Sequence, residues 1–122
     1  ENEQRWEEVQ VEDAEIVLVS YGISSRVCKE AVKVARSQGI KLGLIRPISL
    51  WPFPVQAFEK LSDKCKALMT VEMNILGQMV DDVILATGNK YPVYKYTSVK
   101  DVPETEIVID KVKRILEGGT SR

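Results

Sequence analysis

Short apolar runs alternate with amphipathic segments along most of this chain. The run Glu15-Ile-Val-Leu-Val-Ser20 is almost wholly apolar, which is typical of a parallel strand that is buried on both faces. Three further strands are predicted over residues 40–46, 66–72 and 91–96. Residues 5–11 are a weaker and more charged candidate, which suits the edge of a sheet.

Helical segments fill the intervals between these strands. Ser24 or Ser25 is a candidate N-cap for a first helix that runs to about Gln38 and ends at Gly39. Further helices are predicted to begin at Pro54, to contain Val80, Val83 and Ile84, and to run from about Pro103 to Glu117. This alternation predicts a three-layer α/β/α sandwich with a mostly parallel sheet, in which residues 15–20 and 66–72 lie centrally.

A proline-rich connector, Arg46–Pro54, follows the second predicted strand. Pro47 is expected to stop that strand because proline cannot donate to the ladder. Trp51 and Phe53 are large aromatic side chains on a stiff segment, and they either cover the core of this domain or dock against another chain. Arg46 emerges at a strand end, where its guanidinium can pair with a carboxylate such as Glu72.

Composition and charge restrict the class of protein. The 122 residues fit a single domain, with 44% hydrophobic residues and a net charge of −1, which provides no basic field for nucleic acid. No apolar run approaches the ~20 residues that span a bilayer. Residues 1–13 carry six acidic side chains against Arg5 and are predicted to be an acidic linker and edge strand, with the core at 14–117. A first residue that is not Met suggests a fragment of a longer subunit.

The chain is poor in the residue types that carry catalysis. It has no histidine, and its two cysteines, Cys28 and Cys65, do not form a Cys-x-x-Cys motif. No catalytic residue and no metal ligand is therefore expected in this domain. Free thiols are typical of a protein of the reducing cytoplasm.

Polar and glycine residues collect where the predicted parallel strands end. Parallel α/β sheets present ligands beyond the carboxyl ends of their strands. The residues predicted to make subunit contacts, or to support a site formed elsewhere, are Tyr21, Gly22, Ser24, Ser25, Arg46, Pro47, Trp51, Phe53, Glu72, Asn74, Gly77 and Gln78. The loop at 20–25 is either an ordinary capped turn or an anion contact at a helix N-terminus.

Several segments together resemble one family. They are Glu-Asp-Ala-Glu-Ile-Val at 12–17, Tyr-Gly at 21–22, Leu-Ile-Arg-Pro-Ile-Ser-Leu-Trp-Pro-Phe-Pro at 44–54, Val-Glu-Met-Asn at 71–74 and Gly-Gln-Met at 77–79. In this order they resemble the carboxy-terminal part of the alpha subunit of 2-oxoacid:ferredoxin oxidoreductases, particularly the 2-oxoglutarate and branched-chain types. The resemblance covers about residues 5–96.

The resemblance implies a domain similar to the carboxy-terminal domain of transketolase, with five strands of which the first is antiparallel. It also implies a holoenzyme that uses thiamine diphosphate, magnesium, iron–sulfur clusters and coenzyme A, with ferredoxin as electron acceptor. In such enzymes this domain mainly contributes to packing against the rest of the alpha subunit and the beta, gamma or delta subunits. The isolated domain is then expected to be inactive and to bind no cofactor alone.

Two alternatives stay open at the level of the sequence. The first is the carboxy-terminal domain of a transketolase or of a 2-oxoacid dehydrogenase beta subunit. The second is a free-standing binding module with a flavodoxin-like sheet.

Overall fold

A computed structural model describes residues 6–20, 23–48, 55–59, 61, 64–72, 83–85, 87–88, 90–97 and 104–117. The strands are β1 (Trp6–Val9), β2 (Ile16–Val19), β3 (Leu42–Pro47), β4 (Ala67–Glu72) and β5 (Val93–Thr97). The α-helices are α1 (Ile23–Ser37) and α2 (Thr105–Leu116), with a short 3₁₀ helix at Val55–Phe58 and helical conformation at residues 83–85.

The strands form one five-stranded sheet in the order β1-β3-β2-β4-β5. β1 pairs with β3 in antiparallel orientation, and all other neighbours are parallel. The mostly parallel sheet with one antiparallel edge strand is thus confirmed. β2 lies in the middle, and every residue of Ile16–Val19 is buried, as expected for a parallel strand with both faces covered.

Strand alternation divides the core between the two faces of the sheet. On one face, Leu18, Leu44 and Met69 pack beneath α1 and α2. On the other face, Val19 and Leu68 pack with residues of the 3₁₀ helix and of the helical segment 83–85. The molecule therefore has the predicted three layers, with the two long helices on one face.

The first helix begins earlier than the capping pattern predicts. α1 starts at Ile23, and both Ser24 and Ser25 are buried within its first turn. The prediction that either serine is the N-cap was wrong, because an N-cap residue lies outside the helical geometry. The C-terminus agrees better: Gly39 has a φ of +84°, and the Ile40 N–H donates to the Ala35 carbonyl in a Schellman arrangement.

Pro47 does not stop β3 but is its last residue, paired with Trp6. The Ile45 carbonyl accepts a hydrogen bond from the Ser20 N–H on the β2 side. Residue 47 has the same orientation as residue 45, so its nitrogen faces β2 beyond the last residue of that strand. Proline is tolerated there because β2 has ended at Val19.

Among the described residues, no helix is both long and apolar enough to cross a membrane.

Candidate functional site

The carboxyl ends of three neighbouring strands meet at one edge of the sheet. Val19 of β2 lies beside Ile45 of β3 and Thr70 of β4. Ser20 and Arg46 come directly after Val19 and Ile45, and Glu72 comes two residues after Thr70, so all three lie at this edge. α1 begins here as well, which places the buried Ser24 and Ser25 at the same end of the domain.

Ser20 joins these strand ends. Its N–H donates to the Ile45 carbonyl at 3.2 Å, and its hydroxyl donates to the Val71 carbonyl at 2.8 Å. The side chain is fully buried, where each satisfied polar group adds about 0.5–1.5 kcal/mol and an unsatisfied one is costly. Ser20 was not among the predicted site residues, although a serine that ends an apolar run is a visible signal for this role.

The two cysteines belong to the core of the domain. Cys28 lies in α1 beside the Ser20 hydroxyl, and burial raises the pKa of its thiol to about 12. Burial also raises the pKa of Cys65 to about 11, and this thiol contacts the Ala67 carbonyl at 3.6 Å. The two side chains pack on opposite faces of the sheet. The sheet therefore separates the two thiols, and their raised pKa values disfavour the nucleophilic thiolate form at neutral pH.

Arg46 belongs to a charged cluster with β1 and α1. Its Nη1 lies 3.1 Å from Glu7 Oε1, and Lys29 Nζ lies 3.1 Å from the same oxygen. The hydrogen bond from Lys29, and then that from Arg46, hold the pKa of the Glu7 carboxyl below its usual value. Arg46 Nε is shielded from solvent and has no hydrogen-bond partner in the part of the chain that the structure describes.

The predicted pairing of Arg46 with Glu72 was wrong. Residues 42 and 44 of β3 pack on the α1 face, so Arg46 points to that face too. In β4, residue 68 packs on the opposite face, and Glu72 has the same orientation. The sheet therefore separates the two side chains, and Glu7 of the neighbouring strand is the carboxylate within reach of Arg46.

Glu72 is a buried carboxyl at the end of β4, with only 4% of its surface exposed. Thr70 lies two residues earlier on the same face and is also buried. Ionisable side chains are rarely buried to this degree without a structural or functional reason. Glu72 is therefore the predicted site residue that the structure singles out most clearly.

The remaining predicted residues divide into two groups. Pro47 is buried at the end of β3, beside the edge described above. Seven others lie outside the described residues, and their contact role stays a prediction: Tyr21, Gly22, Trp51, Phe53, Asn74, Gly77 and Gln78.

A second charged feature was missed at the level of the sequence. A groove of about 510 Å³ lies between β1 and α1, and four cations line it: Arg26, Lys29, Lys33 and Arg36. Their spacing of three, four and three residues places them on one side of the helix. This spacing is visible in the sequence, but the position of the predicted edge strand beside this side of α1 is not.

Among the described residues, no group of three or more histidine, cysteine, aspartate or glutamate side chains has the arrangement of a metal site. The pair of thiols fails for the geometric reason given above.

The sheet order, its antiparallel edge strand and the helices on both faces define an α/β domain of the transketolase C-terminal-like class. One solved structure of this fold is the inactive beta4 tetramer of a split-gene transketolase, which has a TM-score of 0.74 and 22% identity over 93% of this chain and 41% of its own. The chain belongs to the family described as pyruvate:ferredoxin oxidoreductase core domain II, whose model matches residues 14–112. The resemblance inferred from the sequence is thereby confirmed.

Individual relatives agree with this assignment. Ketoisovalerate oxidoreductase subunit VorB of Methanothermobacter marburgensis is 56% identical over 88 residues, which are 72% of this chain and 25% of the relative. 2-Oxoglutarate synthase subunit KorA of the same organism is 43% identical over 72 residues, or 59% of this chain and 19% of the relative. The chain thus spans about a quarter or less of these relatives.

A 2-oxoglutarate:ferredoxin oxidoreductase from Magnetococcus marinus, solved with 2-oxoglutarate, coenzyme A and succinyl-CoA bound, has a TM-score of 0.74 and 25% identity. The match covers 93% of this chain and 20% of the solved chain.

Proposed function

We propose that this chain is the carboxy-terminal structural and assembly domain of the alpha subunit of a 2-oxoacid:ferredoxin oxidoreductase. The observation that carries the proposal is the family match over residues 14–112, together with 56% identity to a ketoisovalerate oxidoreductase subunit. The fold agrees, because 93% of this chain matches part of a solved 2-oxoglutarate:ferredoxin oxidoreductase with a TM-score of 0.74.

In this proposal, the complete enzyme oxidatively decarboxylates a 2-oxoacid to an acyl-CoA in the cytoplasm and passes the electrons to ferredoxin. Thiamine diphosphate, magnesium, coenzyme A and iron–sulfur clusters are held by other domains and subunits. The partners are the rest of the alpha subunit, a beta subunit and, where the complex has them, gamma and delta subunits. Fold alone does not fix function, so the weight rests on the family match.

The carboxyl edge of the sheet suits a contact surface because those of its polar groups that the structure describes are already held in place. Ser20 joins three strands there, and Glu7 fixes the guanidinium of Arg46. A surface that is ordered before binding loses little side-chain entropy when a partner docks. Glu72 is the most buried carboxyl at this edge among the described residues. In this proposal it faces the rest of the enzyme and supports assembly without taking part in the reaction.

The test uses the full-length subunit, produced together with its partner subunits. We expect Glu72→Gln to weaken assembly or turnover by about 1–3 kcal/mol, which is typical of a buried polar contact. Assembly is measured by native mass spectrometry, and turnover by 2-oxoacid-dependent reduction of ferredoxin. Glu106→Gln is the matched control, because Glu106 is exposed on α2.

The outcomes separate three roles for Glu72. A weaker complex with normal turnover per assembled enzyme supports the proposal. Loss of turnover in a fully assembled complex would make Glu72 a direct participant in the reaction. If Glu72→Gln matches Glu106→Gln in both measurements, the carboxyl edge makes no contact that matters, and the assembly role is refuted.

A further inference from the structure

The groove between β1 and α1 lies at the side of the helical layer that covers one face of the sheet. In this layer α1 contacts α2 and lies over β3, which is the neighbour of β1 in the sheet. On the β1 side of α1, a space of about 510 Å³ separates the helix from the strand. Neighbouring helices pack about 8–10 Å apart, roughly the width of two strands. The groove therefore lies where a third helix of the same layer would pack, and we refer to it as the α1–β1 groove.

The lining of the α1–β1 groove includes an apolar surface. Val32 of α1 and Val9 of β1 both line it. Val32 is buried, whereas Val9 packs at the margin of the core and is only partly covered. An apolar surface between a helix and a sheet is the kind of surface on which an amphipathic helix lays its apolar stripe.

The helical wall of the groove carries an excess of positive charge. Four cations and two acids line the groove, a net charge of +2. Lys29 and Arg36 already pair with acidic side chains of this chain. Arg26 and Lys33 are exposed and form no ion pair with any other residue in the described part of the chain. These two cations are therefore available to a negatively charged partner.

The distance between Arg26 and Lys33 favours a helical partner over an extended one. The two residues lie seven positions apart in α1, which is two turns, or about 10.5 Å along the axis. A helix that lies along α1 presents side chains two turns apart at the same separation. In an extended strand, side chains on one face recur at about 6.6 Å and about 13 Å. A pair of acidic residues two turns apart on a helix is thus the complementary pattern.

The long helices of this chain do not supply that pattern among the residues described. A second α1 would bring two cationic rows together, and like charges repel across an interface. The exposed side chains of α2 and its C-cap mix both signs, because Lys113 and Arg114 lie between Asp110 and Glu117. The charge pattern therefore favours a different polypeptide over a second copy of the chain.

We propose that the α1–β1 groove is a docking site for an amphipathic acidic α-helix of another polypeptide, which adds a third helix to this layer. Acidic side chains two turns apart on that helix pair with Arg26 and Lys33. Apolar side chains on its adjoining stripe contact Val9 and Val32. The proposal does not depend on the oxidoreductase assignment, because it rests only on the geometry and charge of this groove.

The experiment uses the full 122-residue chain and a fluorescein-labelled, alanine-rich peptide of about 20 residues, which is long enough to form a helix. The peptide carries two glutamates two turns apart and a leucine three residues after each of them. Binding is measured by fluorescence anisotropy. Arg26→Glu combined with Lys33→Glu should weaken binding at least about 10-fold, a change of 1.4 kcal/mol. In NMR spectra of the complex, we expect nuclear Overhauser effects between the leucine methyls and the methyls of Val9 and Val32.

Two variants of the chain make the charge test specific. Glu30 lies about one turn from both Arg26 and Lys33 and lines the same groove. Glu30→Gln removes its repulsion and should therefore strengthen binding at least about 2-fold. Lys90→Glu combined with Lys95→Glu makes the larger charge change at exposed positions away from this groove, and it should alter the affinity by less than about 2-fold. Circular dichroism checks that each variant keeps the native spectrum.

Two control peptides test the shape of the partner. One has the same composition but carries its two glutamates on opposite sides of the helix. The other has a proline at its centre, which breaks the helix. Each should bind at least about 10-fold more weakly than the designed peptide. These peptides, together with Glu30→Gln, keep the test valid even if the doubly charge-reversed variant does not fold.

Several results would overturn the proposal. No detectable binding of the designed peptide, or equal affinity for either control peptide, would show that the groove does not select an acidic helix. Equal losses in the two charge-reversed variants, or no gain in Glu30→Gln, would indicate non-specific attraction. Self-association of the chain without peptide, with Overhauser effects between Val9 and a second copy, would show that the groove is filled by the chain itself.

Discussion

Substitution of Gly43 by alanine tests how the chain passes from β1 to β2. Because β3 lies between these two strands, residues 10–15 must cross over it, and they do so at Gly43. A Cβ atom at this position would lie 2.8 Å from the Gln10 carbonyl oxygen, 3.0 Å from the Ala14 Cβ and 3.2 Å from the Val11 Cα. Two of these three neighbours are backbone atoms, which cannot rotate out of the way.

The loss of stability in Gly43→Ala depends on how far residues 10–15 must shift to make room for the Cβ atom. The optimal separation of non-bonded carbon atoms is about 3.5–4.0 Å, so the segment of residues 10–15 must shift by roughly 0.5 Å or more. Overpacking of this kind costs about 1–3 kcal/mol. A shift of Gln10 also strains the 2.8 Å hydrogen bond that its carbonyl accepts from Arg36, which adds about 1 kcal/mol. Alanine restricts the unfolded chain and returns about 0.4–1 kcal/mol. We expect Gly43→Ala to lower the free energy of unfolding by about 2–3 kcal/mol.

The assay is urea unfolding followed by circular dichroism, with thermal unfolding as a second measurement. For a domain of this size the expected loss corresponds to a fall in Tm of about 10 °C. Gly39→Ala is the matched control: a Cβ at Gly39 meets nothing within 4 Å, but its φ of +84° disfavours other residues. Gly39→Ala should lower the free energy of unfolding by only about 1–2 kcal/mol.

A second variant isolates the backbone contacts. Ala14→Gly removes one of the three clashes. The double variant Ala14→Gly with Gly43→Ala should therefore recover only part of the free energy of unfolding that Gly43→Ala loses. Two results would show that the backbone of residues 10–15 adjusts at little cost and would refute the predicted clash. The first is a free energy of unfolding for Gly43→Ala within about 0.5 kcal/mol of the wild type, and the second is complete recovery of stability by Ala14→Gly.

Three other measurements test individual contacts. Arg36 donates to the Leu42 and Gln10 carbonyls and to both oxygens of Asp13; Arg36→Ala should lower the free energy of unfolding by about 2 kcal/mol, and Arg36→Lys by more than half as much because lysine lacks the planar fork. The pKa of Glu7 is lowered in the folded state, so its contribution to stability is present above the ordinary carboxyl pKa and is lost as the pH falls through the lowered value. The difference in urea midpoint between the wild type and Glu7→Gln should therefore shrink from pH 7 towards pH 3. The control variant Glu8→Gln should differ less from the wild type. Burial raises the pKa values of Cys28 and Cys65 to about 12 and about 11, so iodoacetamide at pH 8 should label neither thiol until urea unfolds the chain, as read by mass spectrometry; rapid labelling of the folded chain would contradict their burial.

The layered fold could be predicted from the sequence because it depends on local patterns. The unbroken apolar run at 16–19 becomes the buried central strand, and the charged segment at 6–9 becomes the antiparallel edge strand. Boundaries were less predictable where tertiary context decides them. Pro47 continues β3 only because the neighbouring strand has already ended, and no local rule contains that information.

The contacts at the site were harder to predict because they depend on which face of the sheet each side chain occupies. Arg46 and Glu72 both follow apolar strands, and the sequence offers no reason to separate them. The packing of Leu44 and Leu68 on opposite faces determines that Arg46 and Glu72 also lie on opposite faces. Arg46 then meets Glu7, a residue 39 positions away, because β1 pairs with β3. A pairing between charged residues in a sheet can therefore be predicted only once strand order and the orientation of each strand are both known. The same requirement explains why the groove between β1 and α1 was not predicted, because the four cations of α1 line it only once β1 lies beside them.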